Sequence, residues 1–424
     1  MTALPLSPPL DRESQSLIFT VACTTQALLD QNYFPGFGIF PTADRSGSFY
    51  NQVWTRDAAH AASNYFAFTD PAALRDTLAT ILRHQQPDTY MLPLKVERTY
   101  AVLRSLPGRL KYLSDFLFHF KRGDKERPVY EGQDWSGGED TVPDVIVAVG
   151  EYFVNSQSGV DFARDHYSQL KNALAFFQTK TAPDHLAVIT HDNADWADSI
   201  KRRQKLGNIN VMWAQSLKMM ALMARRLGYP ADASAYTRQY RQVTASVMAK
   251  LYHPDAYFRA RAGEDRIDTV ASIWGALYLL SPTQAAQVED TLDQKVRRPS
   301  GLQNFYPPYP LTEIQFFPYI LDWGRYHNYY VWPWVTCQNI QVQIKIALTH
   351  PDPVVRQKFR TKAVADFLSE TRQIAAIGAQ EIVLPDRPLP ADTFRYRSQR
   401  NFMATLAAYQ GAHRQLAALG WIPK

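Results

Sequence analysis

Three carboxylates surround one indole in the octet Asp192-Asn193-Ala194-Asp195-Trp196-Ala197-Asp198-Ser199, and a further acid, Glu381, stands near the C-terminus. Two carboxylates beside aromatic rings are equipment for acid–base cleavage of an acetal such as a glycosidic bond. One acid, its pKa raised by an apolar wall such as Trp196, protonates the leaving oxygen, while the other stays ionised and activates water. Asp and Asn in such a stretch also serve as turn and N-cap residues, because their side chains satisfy free backbone donors. Capping, however, calls for no Trp.

Other segments carry similar equipment. Trp54-Thr55-Arg56-Asp57 follows a Gly- and aromatic-rich loop and opens a helix. Trp54 offers a stacking face, and Arg56 and Asp57 can fork hydrogen bonds to vicinal hydroxyls or else tie loop to helix as an internal pair. Asp134-Trp135-Ser136-Gly137-Gly138-Glu139-Asp140 runs into Pro143-Asp144 and an apolar helix reaching Tyr152. Acids at that helix N-terminus lie in a favourable dipole, so Asp140 and Asp144 read as caps, with substrate contact by one of them the alternative. His327 and Asn328 are embedded among rings that include Trp332 and Trp334. Polar groups among rings are what a pocket needs to fix orientation, although a lone His there is otherwise a satisfied core residue. Glu381 precedes the last helix, and Asp386 and Asp392 read as turn residues beside Pro.

The elements that must position these groups are helices. Helix-sized blocks fall near 12–31, 56–68, 70–85, 109–121, 141–156, 161–178, 208–228, 231–252, 267–281, 282–296, 334–349, 352–374 and 398–419. Many are joined in pairs by short turns such as Gly228-Tyr229-Pro230 and Ser281-Pro282. Residues 88–107 alternate apolar and charged types and read as a small hairpin or a long loop. Paired helices over this length form either a solenoid or a closed toroid; a solenoid should repeat its sequence at a fixed period, and none is found. The expectation is one domain over 1–424, with 1–11 a Pro-rich leader and the unusual residues in the connecting loops.

Composition narrows the class further. Hydrophobic residues make 46 % and charged ones 20 %, which is globular and argues against long disorder. Aromatics reach 13 % and cluster at 305–334, where flat rings with polar rims suit stacking against sugars. A net charge of +6 is mildly basic. The densest basic run, Lys201-Arg202-Arg203-Gln204-Lys205, is flanked by acidic and apolar residues and reads as a solvated loop, so no nucleic-acid partner is expected. Cys23 and Cys337 are the only cysteines, which indicates neither a disulfide framework nor a Cys-based metal site. With no secretory leader pattern and no apolar run long enough for a bilayer, the expected compartment is the cytoplasm, with no membrane partner.

Taken in order, these segments resemble the catalytic domain of (α/α)6-barrel glycoside hydrolases. The nearest resemblance is to the amylo-α-1,6-glucosidase domain of glycogen debranching enzymes, with neutral invertases and mannosylglycerate hydrolases as relatives. Trp54-Thr55-Arg56-Asp57 resembles the Arg-Asp motif that opens the pocket in this clan. Asp144 with its apolar helix is similar to the family's Asp-Ala-Ser-Leu-Trp-Phe helix, without the Trp. Asp195-Trp196-Ala197-Asp198-Ser199 resembles Thr-Trp-Met-Asp-Ala, which puts the family's general acid on Asp198. Against the mannosylglycerate-type Gly-Met-Asp-Asn-Ser, the matching pair is instead Asp192-Asn193. The first register is preferred, because Asn210-Val211-Met212-Trp213-Ala214-Gln215 then falls where debranching enzymes have Asn-Ala-Leu-Trp-Tyr-Asn. His327-Asn328 and Trp332-Pro333-Trp334 resemble the Trp-Pro-Trp segment of invertase-like members, and Glu381 takes the place of the catalytic base. The debranching family's Gly-Cys-x-x-Gln-Ala-Trp-Ser ending is replaced here by Tyr396-Arg397-Ser398-Gln399-Arg400-Asn401-Phe402.

The resemblance implies an all-α (α/α)6 toroid, a six-hairpin barrel with long loops. It also implies a glycosidase that cleaves an α-glucosidic bond in a small glucoside or oligosaccharide by inversion. No cofactor is expected, and the spacing of the acids near His matches no metal-binding loop, so no metal is expected either. Asp198 is the expected acid and Glu381 the expected base. Trp54, Arg56, Asp57, Asp144, Asp192, Asp195, Trp196, His327, Asn328, Trp332 and Trp334 are the expected sugar-binding residues. Two alternatives stand beside it: a sugar epimerase or isomerase on the same toroid with His327 as acid or base, and a non-catalytic sugar-binding helical protein.

Overall fold

Helix α1 (Arg12–Asn32) shows how the outer helices are made. The Asp11 carboxylate accepts the Ser14 N–H at 2.7 Å and so caps the first turn. Ser14, Ile18, Val21 with Ala22, Thr25, Leu29 and Asn32 recur every three or four residues and are buried on one stripe. A computed structural model describes residues 10–42, 52–69, 71–99, 125–131, 133, 138–315, 323–393 and 396–424.

The other one-sided helices are α3 (Pro71–Arg83), α5 (Gln157–Gln178), α7 (Pro230–Lys250), α9 (Pro282–Lys295) and α11 (Pro353–Ile377). Four of these five open on Pro, whose missing N–H costs nothing in a first turn. Ser281 and Gln284 form a reciprocal capping box at α9, and Gly228 ends the helix before α7 in the left-handed conformation, with φ 88°.

The remaining helices are of another kind. They are α2 (Thr55–Ala61, continued by a π turn at Ala62–Phe66 and a short turn at Ala67–Thr69), α4 (Thr141–Asn155), α6 (Gly207–Leu227), α8 (Thr269–Tyr278), α10 (Pro333–Thr349) and α12 (Met403–Ala418). Long stretches of them are buried all round, as from Gly207 to Leu217, which requires neighbours on every side. Each packs against the next, and α12 closes back on α2, so the six form an inner ring within the six outer helices. This is the expected (α/α)6 toroid, and its apolar residues from Ile18 to Ile422 make one continuous core.

The seams of the ring are specific. Trp274 Nε1 donates to Gln338 Oε1 at 2.9 Å between α8 and α10, and Gln341 Nε2 donates to Asn64 Oδ1 at 2.7 Å between α10 and the π turn. Gly411 lets α12 approach that turn, since a Cβ there would stand 2.5 Å from the Asn64 carbonyl oxygen. Gly411→Ala is therefore expected to lower stability by about 1–3 kcal/mol through overpacking. Urea unfolding checks this, and an unchanged midpoint would show that the seam yields. Across the middle, the His60 ring on α2 lies 5.1 Å from that of Trp274 on α8 and 5.3 Å from that of Trp334 on α10, filling the axis.

Because successive helices alternate in direction, all inner helices begin at the same end. Connections from an inner helix outward are short, such as Ser156 or Gly228-Tyr229, whereas those leading into inner helices are long, such as 179–206 and 378–402. The long loops thus gather over the inner N-termini, whose partial positive charge faces them.

The hairpin expected within 88–107 is replaced by a longer-range pairing. Lys95–Thr99 is the middle strand of an antiparallel sheet between Gln52–Trp54 and Lys125–Val129, with Trp54 opposite Lys95 and Lys95 opposite Val129. Pairing on both sides over residues 95–97, and on one side through Thr99, buries Val53, Val96 and Val129. Residues 100–107, the helix block expected at 109–121, Asp134 to Gly137 and most of the Pro-rich leader lie outside the described residues. No helix of the described residues is long and apolar enough to cross a membrane.

Candidate active site

The residues singled out from the sequence lie in the long loops and in the first turns of the inner helices. Trp54 precedes α2 and stacks under the Lys95 ammonium, which stands 4.6 Å from the ring centre. Arg56, in the first turn, forks onto Asp140, with Nε 2.6 Å from Oδ2 and Nη2 3.3 Å from Oδ1. Asp140 holds the N-cap position of α4, yet its side chain caps nothing and turns to Arg56 instead. Burial pushes the Asp140 carboxyl up to about 6, with Arg56 pulling down and Asp144 adding to the rise. The Arg56 guanidinium would lose basicity by burial, but Asp140, Asp198 and Asp57 more than restore it. The Asp57 carboxyl is raised by burial and by Asp144, against the pull of Arg56 and His60. Asp144 places Oδ2 3.5 Å from His60 Nε2, and its buried Oδ1 has no hydrogen-bond partner among the described residues.

The octet reaches the site through Trp196 and Asp198. Trp196 is nearly fully buried and is boxed by Phe305 in a stacked arrangement and by His327, Trp332 and Trp334 edge-on, with ring centres 5.3–6.1 Å away. Asp198 keeps 30 % of its side chain exposed and lies 3.8 Å from His327 Nδ1. His327 Nδ1 also meets Ser199 Oγ at 2.9 Å, and its ring stacks on Trp332 at 4.9 Å. Burial holds this imidazole well below its ordinary pKa, with Arg56 and Arg202 adding to the effect, so it is neutral at pH 7. Trp332 is locked by its Nε1 donating to the Tyr326 carbonyl at 3.1 Å.

Glu381 has no exposed surface. The Tyr326 hydroxyl donates to its Oε1, and the Tyr396 hydroxyl and the Gln399 N–H donate to its Oε2, the last at 3.3 Å. Tyr326 and His327 are adjacent, so one dipeptide touches Glu381 with its first residue and Asp198 with its second.

Three expected sugar ligands have internal partners. Asp195 is buried, accepting from Arg202 Nη2 and, at 3.1 Å, from Asn208 Nδ2, while Arg202 Nη1 donates to Asp268 at 3.0 Å. Asp192 forms a two-point pair with Arg203 at the surface, with both contacts at 2.7 Å. Asn328 clamps the Tyr309 backbone, accepting its N–H at 2.6 Å and donating to its carbonyl at 2.9 Å. The basic run expected as a solvated loop is so only in part. Arg202 is 1 % exposed, because a carboxylate from its own loop, Asp195, and one from the N-cap of α8, Asp268, converge on it.

Tyr326, Tyr396 and Ser199 join the site without being among the residues expected from the sequence. Their signals were weak but present: each adjoins or lies within a segment rich in chemistry, next to His327, Arg397 and Asp198 respectively. No group of three His, Cys, Asp or Glu side chains among the described residues is placed to hold a metal ion.

Residues 126–301 match the model of the bacterial alpha-L-rhamnosidase six-hairpin glycosidase domain. No curated protein matches the chain in sequence. Among solved structures it is similar to a rhamnosidase from Klebsiella oxytoca with rhamnose bound, at 14 % identity and TM-score 0.63, covering 96 % of this chain and 64 % of that one. It is also similar to a mannosylglycerate hydrolase from Thermus thermophilus in complex with glucose, at 13 % identity and TM-score 0.64, covering 92 % and 99 % of the two chains. A glycosidase point variant is similar at 13 % identity and TM-score 0.66, covering 98 % and 100 %. The structural likenesses establish the fold, and with the family model they support an (α/α)6 glycoside hydrolase.

Proposed function

We propose that this six-hairpin glycosidase hydrolyses an α-glucosidic bond in a small glucoside or oligosaccharide, with inversion at the anomeric carbon. The observation that carries the reading is the Tyr326-His327 dipeptide, which touches both Glu381 and Asp198. Asp198, partly open to solvent, is the proton donor to the leaving oxygen, and Glu381 takes a proton from the attacking water. Inversion needs the two carboxyl groups roughly 6.5–9.5 Å apart so that a water fits between them and the sugar.

Arg56, Asp57 and Asp144 would bind sugar hydroxyls, supported by the unpartnered Asp144 Oδ1 and by the buried Trp196 Nε1, which also lacks a partner among the described residues. Trp54, Trp332 and Trp334 would supply the apolar faces. The free cysteines, Cys23 exposed and Cys337 buried, suit a reducing compartment such as the cytoplasm.

A second reading, an α-L-rhamnoside as substrate, is favoured by the family model over 126–301. A hydrolysis screen over α-glucosides, mannosylglycerate and α-L-rhamnosides, with NMR detection of the first anomer released, decides between them. The expected result is turnover of an α-glucoside giving the β anomer first. Release of the α anomer would refute inversion, and exclusive turnover of rhamnosides would replace the substrate.

A further inference from the structure

The hydroxyls of Tyr326 and Tyr396 approach the Glu381 carboxylate from two different loops, one on each oxygen. Their rings meet edge to face at 5.4 Å, and Tyr326 is packed in turn against Trp332 at 5.0 Å. Glu381 is itself held from behind, its N–H donating to the Gln399 carbonyl at 2.9 Å. A carboxylate with no exposed surface loses the solvation of its charge, and its ordinary fate is to bind a proton and stop serving as a base. Phenols act here as fixed donors in place of water. Because a hydroxyl that donates to a carboxylate favours the charged form, two of them oppose the effect of burial.

The geometry points to Tyr326 and Tyr396 as a pair of positioning residues that keep the Glu381 carboxylate ionised and aimed across the pocket. The inference rests on the reading of Glu381 as the base. Among the described residues, the two phenols are titratable groups in direct contact with the Glu381 carboxylate. Behind Tyr326 stands the neutral His327 ring, with Asp198 beyond it and Arg56 close enough to both to act on their charge. Tyr326 also connects the two ends of the chemistry, since its neighbour His327 lies against Ser199 and Asp198. A shift of this one loop would therefore move base and acid together.

The test compares Tyr326→Phe, Tyr396→Phe and Glu381→Gln with the parent on whichever glycoside the screen identifies. Each Phe variant is expected to lose about 10–100-fold in kcat with KM changed less than about threefold, as for an interaction that acts in the transition state. The acidic limb of the kcat/KM profile should also move to higher pH by about one unit, because losing a donor to the charged form raises the carboxyl pKa. Phe variants with the parent's kcat and acidic limb, beside an inactive Glu381→Gln, overturn the clamp and leave the base assignment standing. An active Glu381→Gln overturns the base assignment itself. Infrared difference spectra of the parent against Glu381→Gln across pH read the same carboxyl without either Phe variant. A Glu381 carboxyl that takes its proton above the ordinary glutamate range overturns the clamp by itself.

Discussion

Asp198→Asn is expected to lower kcat by about 10²–10⁴-fold while KM changes little, the loss that follows when a positioned proton donor is removed. The substitution is close to isosteric, and Asp198 is partly exposed rather than locked in the core, so the fold should be kept. The loss should depend on the leaving group. A glycoside with a poor alkoxide leaving group should lose nearly all turnover, whereas one with a leaving group that needs no proton, such as a glycosyl fluoride, should keep most of it. Steady-state kinetics on the two substrate types checks this. Equal losses on both would mean that Asp198 does something other than donate a proton. Asp192→Asn is the matched control. Its carboxylate is engaged by Arg203 at the surface, so its removal should leave kcat within about twofold, in line with the small worth of exposed pairs.

Arg202→Ala is expected to destabilise the protein by about 3–5 kcal/mol, because it strands two buried carboxylates, Asp195 and Asp268, that share one guanidinium. Even with Arg202 present, burial raises the Asp268 carboxyl above its ordinary value. Without the guanidinium both acids must fold as the protonated form, so their folded pKa values lie above those of the unfolded chain. The sign follows from linkage: the defect is largest at neutral pH, where the unfolded acids are ionised, and narrows as pH falls towards the carboxylate range. Urea denaturation at pH 7 and pH 5 reads both the size and the slope. A defect under about 1 kcal/mol at pH 7 would show that the triad is not a structural keystone. Since Asp195 and Arg202 bracket the segment that carries Trp196 and Asp198, activity should fall along with stability.

Much of the scaffold was legible from the chain. Apolar residues three or four apart, Pro at first turns, the Ser281–Gln284 box and Gly228 are local signals acting within a turn or two of helix, and they mark α1 and α5 to α11 closely. The absence of a sequence repeat turned the paired helices towards a closed ring rather than a solenoid. The sheet was not legible. Gln52–Trp54 and Lys95–Thr99 pair across some forty residues, and alternation in one strand carries no information about its distant partner.

The octet divides the same way. By residue type alone, Asp192, Asp195 and Asp198 are three similar acids around Trp196, and the family resemblance preferred one of them. Their surroundings are a tertiary matter. Arg203 occupies Asp192 from eleven residues away, Arg202 joins Asp195 to Asp268 at the N-cap of α8, and Asp198 stands beside His327, which arrives from 128 residues later through Ser199. The sequence by itself determined the helices, the acids on offer and the rings around them, because those follow from local periodicity and side-chain chemistry. Only the closed ring decided which acids are consumed by internal ion pairs and which stands partly open beside His327, because Coulomb and hydrogen-bond partners are set by proximity in space.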